Sequence, residues 1–481
     1  MNNKLLISGV LGLGTCMIYT PIHAGEAQAQ SKPNVLIIYT DDMGAGDVSF
    51  LNNGWVKTPN IDKLASGGLI VTNYYSSSPV SSPSRVGLTT GRFPTEMGIN
   101  CYLQTRKGNA ACEQFDYLDA SVPTMAKVMK SAGYTTGHFG KWHMGGGRDV
   151  IDAPQITEYG FDEYISTWES PNPDPVITDS AWIWSRTDQV KRWDRTAYFV
   201  DKTLDFLKRH KGEPCFVNLW PDDMHTPWVP SQKTMDSERT SWTTPPNFKE
   251  VLTEYDKQIG RLMEGLTKLG LEKNTIVIFT SDNGPAPSFQ QMRTNSLLGV
   301  KCSLYEGGIR MPFAIHWPEK IKAGGINDSS IVCAVDLLPS LCALTGAKLP
   351  LDMELSGEDM SRALLGEPQI RKKDLMWDFG RNKAFNYPRG KNAKQKSPHL
   401  AIRRGSMKLL VDSWDENFEL YDLVADPKET TNIAEQNPDL VKELHIVLME
   451  WWAKRKIPAK LKTVDLFEDL YFYYVCFRVY L

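Results

Sequence analysis

The sequence predicts an α/β fold: a large, mostly parallel sheet flanked by helices, followed by a smaller C-terminal antiparallel sheet with a packed helix. Three observations predict it. Val35-Leu36-Ile37-Ile38-Tyr39, Phe216-Val217-Asn218-Leu219-Trp220 and Thr275-Ile276-Val277-Ile278-Phe279 are short, almost continuously apolar runs, the pattern of strands buried on both faces. Helical periodicity precedes the last two. Val200, Leu204 and Leu207 share one face, and Leu252, Tyr255, Ile259, Leu262, Leu266 and Leu269 recur at steps of three and four. Beyond about Gly366 the apolar runs become short and mixed, as in a small antiparallel sheet.

Taken in order, the chain opens with Lys4 and an apolar or small stretch from Leu5 to Tyr19, then Ile22-His23-Ala24. This reads as a signal peptide over 1–24 and places the protein outside the cytoplasm, secreted or periplasmic. Cys16 offers the alternative of a lipid anchor, but Leu13-Gly14-Thr15 fits a lipoprotein signal poorly. Lys32-Pro33-Asn34 starts the fold proper, and no later segment is long and apolar enough for a transmembrane helix. The first strand ends in Thr40-Asp41-Asp42. In Ser81-Ser82-Pro83-Ser84-Arg85, the proline suits the first turn of a helix. Helix-start amides plus the Arg85 guanidinium make an anion site with Ser81 at its mouth; a serine-rich loop is the competing reading. A strand from Tyr134 to Phe139 leads into Gly140-Lys141-Trp142-His143-Met144-Gly145. The other two runs lead into Asp222-Asp223-Met224-His225 and Ser281-Asp282-Asn283-Gly284, with Gly270 ending the intervening helix. Polar residues thus gather just after strand ends, the edge where open α/β sheets place their sites. The C-terminal part offers strands at 375–379, 399–402, 407–411 and 419–422 and a helix from Pro438 to Lys454. The expected division is 33–366 for the catalytic domain and 367–481 for a smaller subdomain.

Charge is nearly balanced, with 54 basic and 57 acidic residues and a formal net charge of −3, which gives no support for a nucleic-acid footprint. Of eight cysteines, Cys16 leaves with the signal, so at least one of the rest has no partner within the chain. Cys101 and Cys112 bracket a polar stretch and are the best disulfide candidates; Cys215, Cys333 and Cys342 sit in apolar runs and read as core thiols. No cysteine or histidine spacing indicates zinc. Asp41, Asp42, Asp282 and Asn283 are hard oxygen donors that suit a hard divalent cation, whereas either pair alone also fits turn chemistry or capping.

Ser81-x-Pro83-Ser84-Arg85-x-x-Leu88-x-Thr90-Gly91 resembles, position by position, the signature of the type I sulfatases, which have an alkaline-phosphatase-like fold. The resemblance implies that a maturase oxidises Ser81 to formylglycine. Its hydrated form attacks sulfur through one hydroxyl and releases sulfate through the other, where an unmodified serine would be trapped as a sulfate ester. It implies one calcium ion on Asp41, Asp42, Asp282, Asn283 and the modified residue 81. Gly140-Lys141-Trp142-His143 is similar to the family's Gly-Lys-Trp-His-Leu-Gly, with Met144 a departure; Lys141 then contacts formylglycine and sulfate, and His143 holds the gem-diol. His225, in a His-Thr-Pro motif, binds sulfate and protonates the leaving group. Lys301 binds sulfate, Arg85 steadies formylglycine and the carboxylates, and Asp282 accepts a proton. Glu306, Gly307, Gly308 and Arg310 are read as structural. The resemblance runs from Pro33 to about Arg455 and includes Asp426-Pro427-Lys428-Glu429-Thr430; the aromatic tail from Leu466 to Leu481 departs from it and reads as a final packed strand.

A secreted sulfatase with Trp168, Trp182, Trp184, Trp193 and Trp228 near its motifs implies a sulfated carbohydrate substrate, with galactose or N-acetylgalactosamine sulfates preferred. Aromatic faces stack on sugar rings, although for any one tryptophan packing of the fold is the favoured reading. Two alternatives stand. One is a phosphomonoesterase or phosphodiesterase with unmodified Ser81 as nucleophile. The other is a catalytically silent protein that binds sulfated glycans.

Overall fold

The computed structural model describes residue 1 and residues 32–52, 54–178, 184–237, 242–287, 289–380, 388 and 390–459. The expected signal peptide with Cys16, Trp182 and the Leu466–Leu481 strand lie outside the described residues.

The apolar run at β1 (Asn34–Thr40) is buried throughout and sits inside an eight-stranded sheet. The other members are β2 (Leu69–Val71), β4 (Thr135–Gly140), β5 (Glu163–Ser166), β6 (Cys215–Trp220), β7 (Thr275–Ser281), β8 (Phe313–His316) and β9 (Gly325–Asn327). Their order is β5-β4-β6-β1-β7-β8-β2-β9. All pairs from β5 to β7 are parallel; β8 runs antiparallel to β7 and β2, and β9 is parallel to β2. The sheet is therefore mixed but mostly parallel. Beside it, β3 (Tyr74–Tyr75) pairs with β10 (Val332–Cys333).

Register decides where chemistry can occur. Thr40 pairs with Ser281 and Gly140 with Trp220. In-register parallel strands end together, so Asp41, Lys141 and Asp282 emerge side by side at one sheet edge. The two faces of β1 are covered separately. Leu36 and Ile38 pack with the helices Arg195–Arg209 and Pro245–Leu269, whereas Val35, Ile37 and Tyr39 pack with Val86 and Leu88 of the helix Ser81–Thr90. The long helix starts on a Thr244 cap and ends at Gly270 in the left-handed conformation, φ 72°.

The C-terminal elements form an antiparallel sheet of β11 (Leu375–Asp378), β12 (Leu400–Arg404), β13 (Met407–Asp412) and β14 (Asp415–Asp422). The helix Pro438–Ala453 lays Val441, Leu444 and Leu448 against Leu400, Ile402, Leu409 and Leu420. No helix among the described residues is long and apolar enough to cross a membrane.

Cysteine chemistry departs from expectation at one place. Cys101 and Cys112 are buried as thiols and not joined as a disulfide. The Cys112 thiol hydrogen-bonds to Cys101 and, with burial, pushes the Cys101 thiol well up. The stretch between them is ordered by the short helix Arg106–Ala111, capped by Thr105, so no cross-link is needed to hold it. Cys215, Cys333 and Cys342 are buried thiols as expected.

His138, on β4, lies in an aromatic box of Trp142, Phe161 and Trp220 with ring centroids 5.3, 5.4 and 5.0 Å away. Burial, aided by Arg85, pushes its pKa down to about 3. The unfolded chain binds a proton there near pH 6.5 and the folded protein does not, so folding stability falls as pH drops from 6.5 toward 3. This residue alone contributes a slope approaching ~1.4 kcal/mol per pH unit. Urea unfolding at pH 5 and pH 7 should show a pH-dependent loss in wild type that is smaller by about 2 kcal/mol in His138→Phe. An identical loss in both proteins would contradict this assignment.

Candidate active site

The helix Ser81–Thr90 is buried at every residue, and Ser81 is its first position. Pro83 falls in the first turn, where its missing N–H leaves no helix bond unmade. Gly87 allows close packing, since a Cβ there would lie 2.1 Å from Ser77 Oγ. The helix start faces the sheet edge. Ser81 Oγ donates to Asp41 Oδ1 at 3.0 Å and lies 3.4 Å from Asn283 Oδ1.

Asp41, Asp42 and Asp282 are fully buried, with one carboxylate oxygen of each within 4.8 Å of the others. Asp42 holds φ 57°, a left-handed backbone that turns its side chain back toward the cluster. Asn283 Nδ2 donates to Asp42 Oδ1 at 2.7 Å, and Asp42 N–H donates to Asp282 Oδ1 at 3.1 Å. Three buried carboxylates and an amide oxygen are a hard-oxygen donor set, and like charges this close, out of water, must be offset by positive charge or by protonation. The strain falls on Asp282: burial and the Asp41 charge push its pKa up to about 7. Burial also works against ionising Asp41 and Asp42, but Lys141 and Lys301 respectively, with His225, outweigh it and hold both low. These residues fit a hard divalent cation.

Cationic groups ring the cluster. Arg85 is wholly buried between Tyr39 and Trp220, its guanidinium carbon 5.6 and 5.2 Å from their ring centroids. It donates to Asp282 Oδ2 at 2.8 Å and to the Lys141 carbonyl at 3.1 Å, with Asp41 Oδ1 at 3.5 Å. Lys141 Nζ reaches Asp41 Oδ2 at 2.8 Å; Lys301 Nζ reaches Asp42 Oδ2 at 2.8 Å. Gly140 makes the first of these possible. Its φ is 131°, and a Cβ would sit 2.1 Å from the Trp220 carbonyl. His225 Nε2 lies 3.7 Å from Asp42 Oδ2, while its Nδ1 is 2.6 Å from the Thr226 carbonyl. Burial and Lys301 lower the His225 pKa. His143 stands slightly apart, with Nε2 at 3.2 Å from the Leu103 carbonyl; burial pushes its pKa down to about 3.

All the side chains expected from sequence thus converge, with His143 at the margin. Met144, the departure from the family pattern, is a buried core residue and keeps that position apolar. Glu169 is a group that sequence reasoning missed. It is buried, 3.3 Å from His143 Nδ1, 3.6 Å from Lys141 Nζ and 3.1 Å from Arg148 NH2. Its signal was position: it follows β5 on the same sheet edge. Among the tryptophans, Trp228 packs against Phe248 and Trp184 against Trp242. Trp168 lines a small cavity with Asp41, Lys141, Glu169, Asp222 and His225, under the Arg148 guanidinium.

A hydroxyl set against a hard-oxygen cluster, inside a ring of two lysines, an arginine and a histidine, defines an ester hydrolase for a tetrahedral oxyanion. Its family is settled by comparison. The chain belongs to the sulfatase family, whose profile matches residues 33–347. A second profile, N-sulphoglucosamine sulphohydrolase, C-terminal, matches residues 300–454. The chain is 28% identical to N-acetylgalactosamine-6-O-sulfatase of Bacteroides thetaiotaomicron, over 92% of this chain and 97% of that protein. It is 31% identical to arylsulfatase A of Bos taurus, over 74% and 72%. A solved Bacteroides thetaiotaomicron structure, described under metabolism of multiple glycosaminoglycans, superposes with TM-score 0.70 at 28% identity, covering 88% of this chain and all of that one. The protein is a sulfatase of alkaline-phosphatase-like fold.

Proposed function

We propose that the protein removes O-sulfate from a sulfated sugar, using formylglycine made from Ser81 by a maturase. The carrying observation is Ser81 Oγ, 3.0 Å from Asp41 Oδ1 at the mouth of the carboxylate cluster. The modified residue supplies a hydrated aldehyde as nucleophile, avoiding a stable serine sulfate. Asp41, Asp42, Asp282 and Asn283, with residue 81, would hold one calcium ion, which would supply positive charge to offset that of the sulfate.

The chain's own side chains do the rest. Lys141 and Lys301 lean on Asp41 and Asp42 and carry ammonium groups that bind sulfate. His143 steadies residue 81. His225, one-fifth exposed, is the group that gives a proton to the leaving oxygen. Arg85 fixes Asp282 and Asp41 and keeps the anionic cluster from repelling the substrate. The catalytic domain spans 33–366, with 367–481 as a smaller subdomain. A signal peptide over 1–24 sends the protein to the periplasm or beyond, where sulfated glycans are accessible.

Relatives named for N-acetylgalactosamine-6-sulfate in bacteria and mammals support that sugar and the 6-position; galactose 6-sulfate is the second candidate. The test is sulfate release from a panel: 6- and 4-sulfated N-acetylgalactosamine, 6-sulfated galactose, 6-sulfated N-acetylglucosamine and an aryl sulfate. The 6-sulfated galacto sugars should exceed the gluco sugar by at least ~10²-fold in kcat/KM, the discrimination that a site built to hydrogen-bond one hydroxyl orientation achieves. Equal rates across both series would overturn the sugar assignment.

A further inference from the structure

Glu429 lies far from the reacting groups in sequence, in the Asp426-Pro427-Lys428-Glu429-Thr430 motif. It nevertheless holds φ 56° without being glycine, and it is buried. A strained, buried, charged residue persists where its surroundings fix it, and such positions cluster near function. Its carboxylate lies beneath the segment that carries Lys301. Oε2 accepts from the Glu306 backbone N–H at 2.7 Å. Oε1 is 2.8 Å from Lys408 Nζ, on β13. Lys408 is completely buried and also reaches Glu306 Oε1 at 3.0 Å, while Tyr75 OH donates to Glu306 Oε2 at 2.6 Å. One lysine thus joins two carboxylates away from water, an arrangement that tolerates the loss of no member.

From Glu306 the contact runs directly into the site. The Gly308 carbonyl accepts from the Gly284 N–H at 2.9 Å, and a Cβ on Gly284 would lie 2.1 Å from the Gly307 carbonyl. Gly284 follows Asn283. Lys301 N–H donates to the Pro285 carbonyl at 2.8 Å, and its ammonium reaches Asp42. Backbone packed this closely transmits displacement, because nothing compressible lies between.

We propose that Glu429, together with Lys408, is a positioning residue: it clamps Glu306, and through Gly307-Gly308 and Lys301 it sets the Asp282-Asn283-Gly284 loop. The proposal rests on the reading of Asp41, Asp42, Asp282 and Asn283 as the cation site, and gives the Asp-Pro-Lys-Glu motif a role in the reaction.

The test compares full-length wild type, Glu429→Ala, Glu429→Gln and Leu444→Ala. Leu444 is buried in the apolar C-terminal core and is none of the clamp's polar partners, so its loss lowers Tm while leaving Glu429, Lys408 and Glu306 in place. Each protein is assayed for Tm, for kcat and KM on 6-sulfated N-acetylgalactosamine, and for calcium affinity by calorimetry after chelation. Glu429→Ala should lower kcat at least ~10-fold with KM within ~3-fold, and weaken calcium binding ~10-fold or more, the usual cost of losing a group behind metal ligands. Glu429→Gln, which keeps an acceptor for Glu306 N–H, should recover part of both. Leu444→Ala should lower Tm comparably and keep kcat and calcium affinity near wild type. Wild-type values in Glu429→Ala, or equal losses in Leu444→Ala, would overturn the clamp. If Glu429→Ala does not fold, Tyr75→Phe removes one hydroxyl from the same Glu306 carboxylate; unchanged kcat and calcium affinity there overturn it equally. Wild-type protein that binds no calcium would overturn the cation reading itself, a failure distinct from that of the clamp.

Discussion

Replacing Ser81 by alanine should abolish sulfate release, lowering kcat by about 10⁴-fold or more, the scale seen when a covalent nucleophile is removed. The substitution is structurally mild. Ser81 is the first residue of its helix, and Val80, not Ser81, occupies the cap position. Its hydroxyl bonds to the cluster it serves and not to the helix backbone. Tm should therefore move by only a few degrees, corresponding to about 1 kcal/mol for one lost buried hydrogen bond. Substrate affinity should survive, because Lys141, Lys301 and His225 are untouched. Steady-state assays with sulfate detection, paired with calorimetric binding of the substrate, separate the two effects. A variant that turned over a sulfated sugar at the wild-type rate would remove residue 81 from the chemistry.

The second large effect concerns the cation. Chelation of the purified protein should lower activity by about 10³-fold, and added calcium should restore it, since the charge that offsets the sulfate oxygens is then missing. Asp282→Asn should act in the same direction, weakening calcium binding and lowering kcat. It also removes a carboxyl that burial and Asp41 push up to about 7. In the apoprotein the change relieves like-charge crowding but weakens the buried ion pair with Arg85 at 2.8 Å, so its Tm should not rise; calcium should raise Tm in wild type more than in the variant. Full activity in protein shown by elemental analysis to contain no divalent metal would contradict the assignment.

Much of this centre was legible because its residues follow strands that announce themselves. Continuous apolar runs locate β1, β6 and β7, and parallel register then forces Asp41, Lys141 and Asp282 together. The strand at Phe313–His316 and its neighbours Leu69–Val71 and Gly325–Asn327 were not legible. Runs of three or four residues have too little period to be distinguished from loop, and the antiparallel insertion of β8 between β7 and β2, with β9 added parallel to β2, depends on partners far away. Glu169 carried no motif, and only its place after β5 gave it away. Trp228 looked available to a sugar, yet its indole N–H donates to Met224 and its ring packs edge-on to Phe248. Nothing in Met407-Lys408-Leu409 marks Lys408 as buried. It is buried because Glu306, 102 positions earlier, and Glu429 both supply carboxylates. Pairing across such distances leaves no local pattern. Cys101 and Cys112 were placed together correctly, but proximity alone does not specify a bond.

The most direct test of the account is peptide mass spectrometry across Ser81 on protein purified from its native host. The account predicts a Ser81 peptide lighter by two hydrogens that reacts with carbonyl reagents, in proportion to specific activity. An intact serine in fully active enzyme would contradict it.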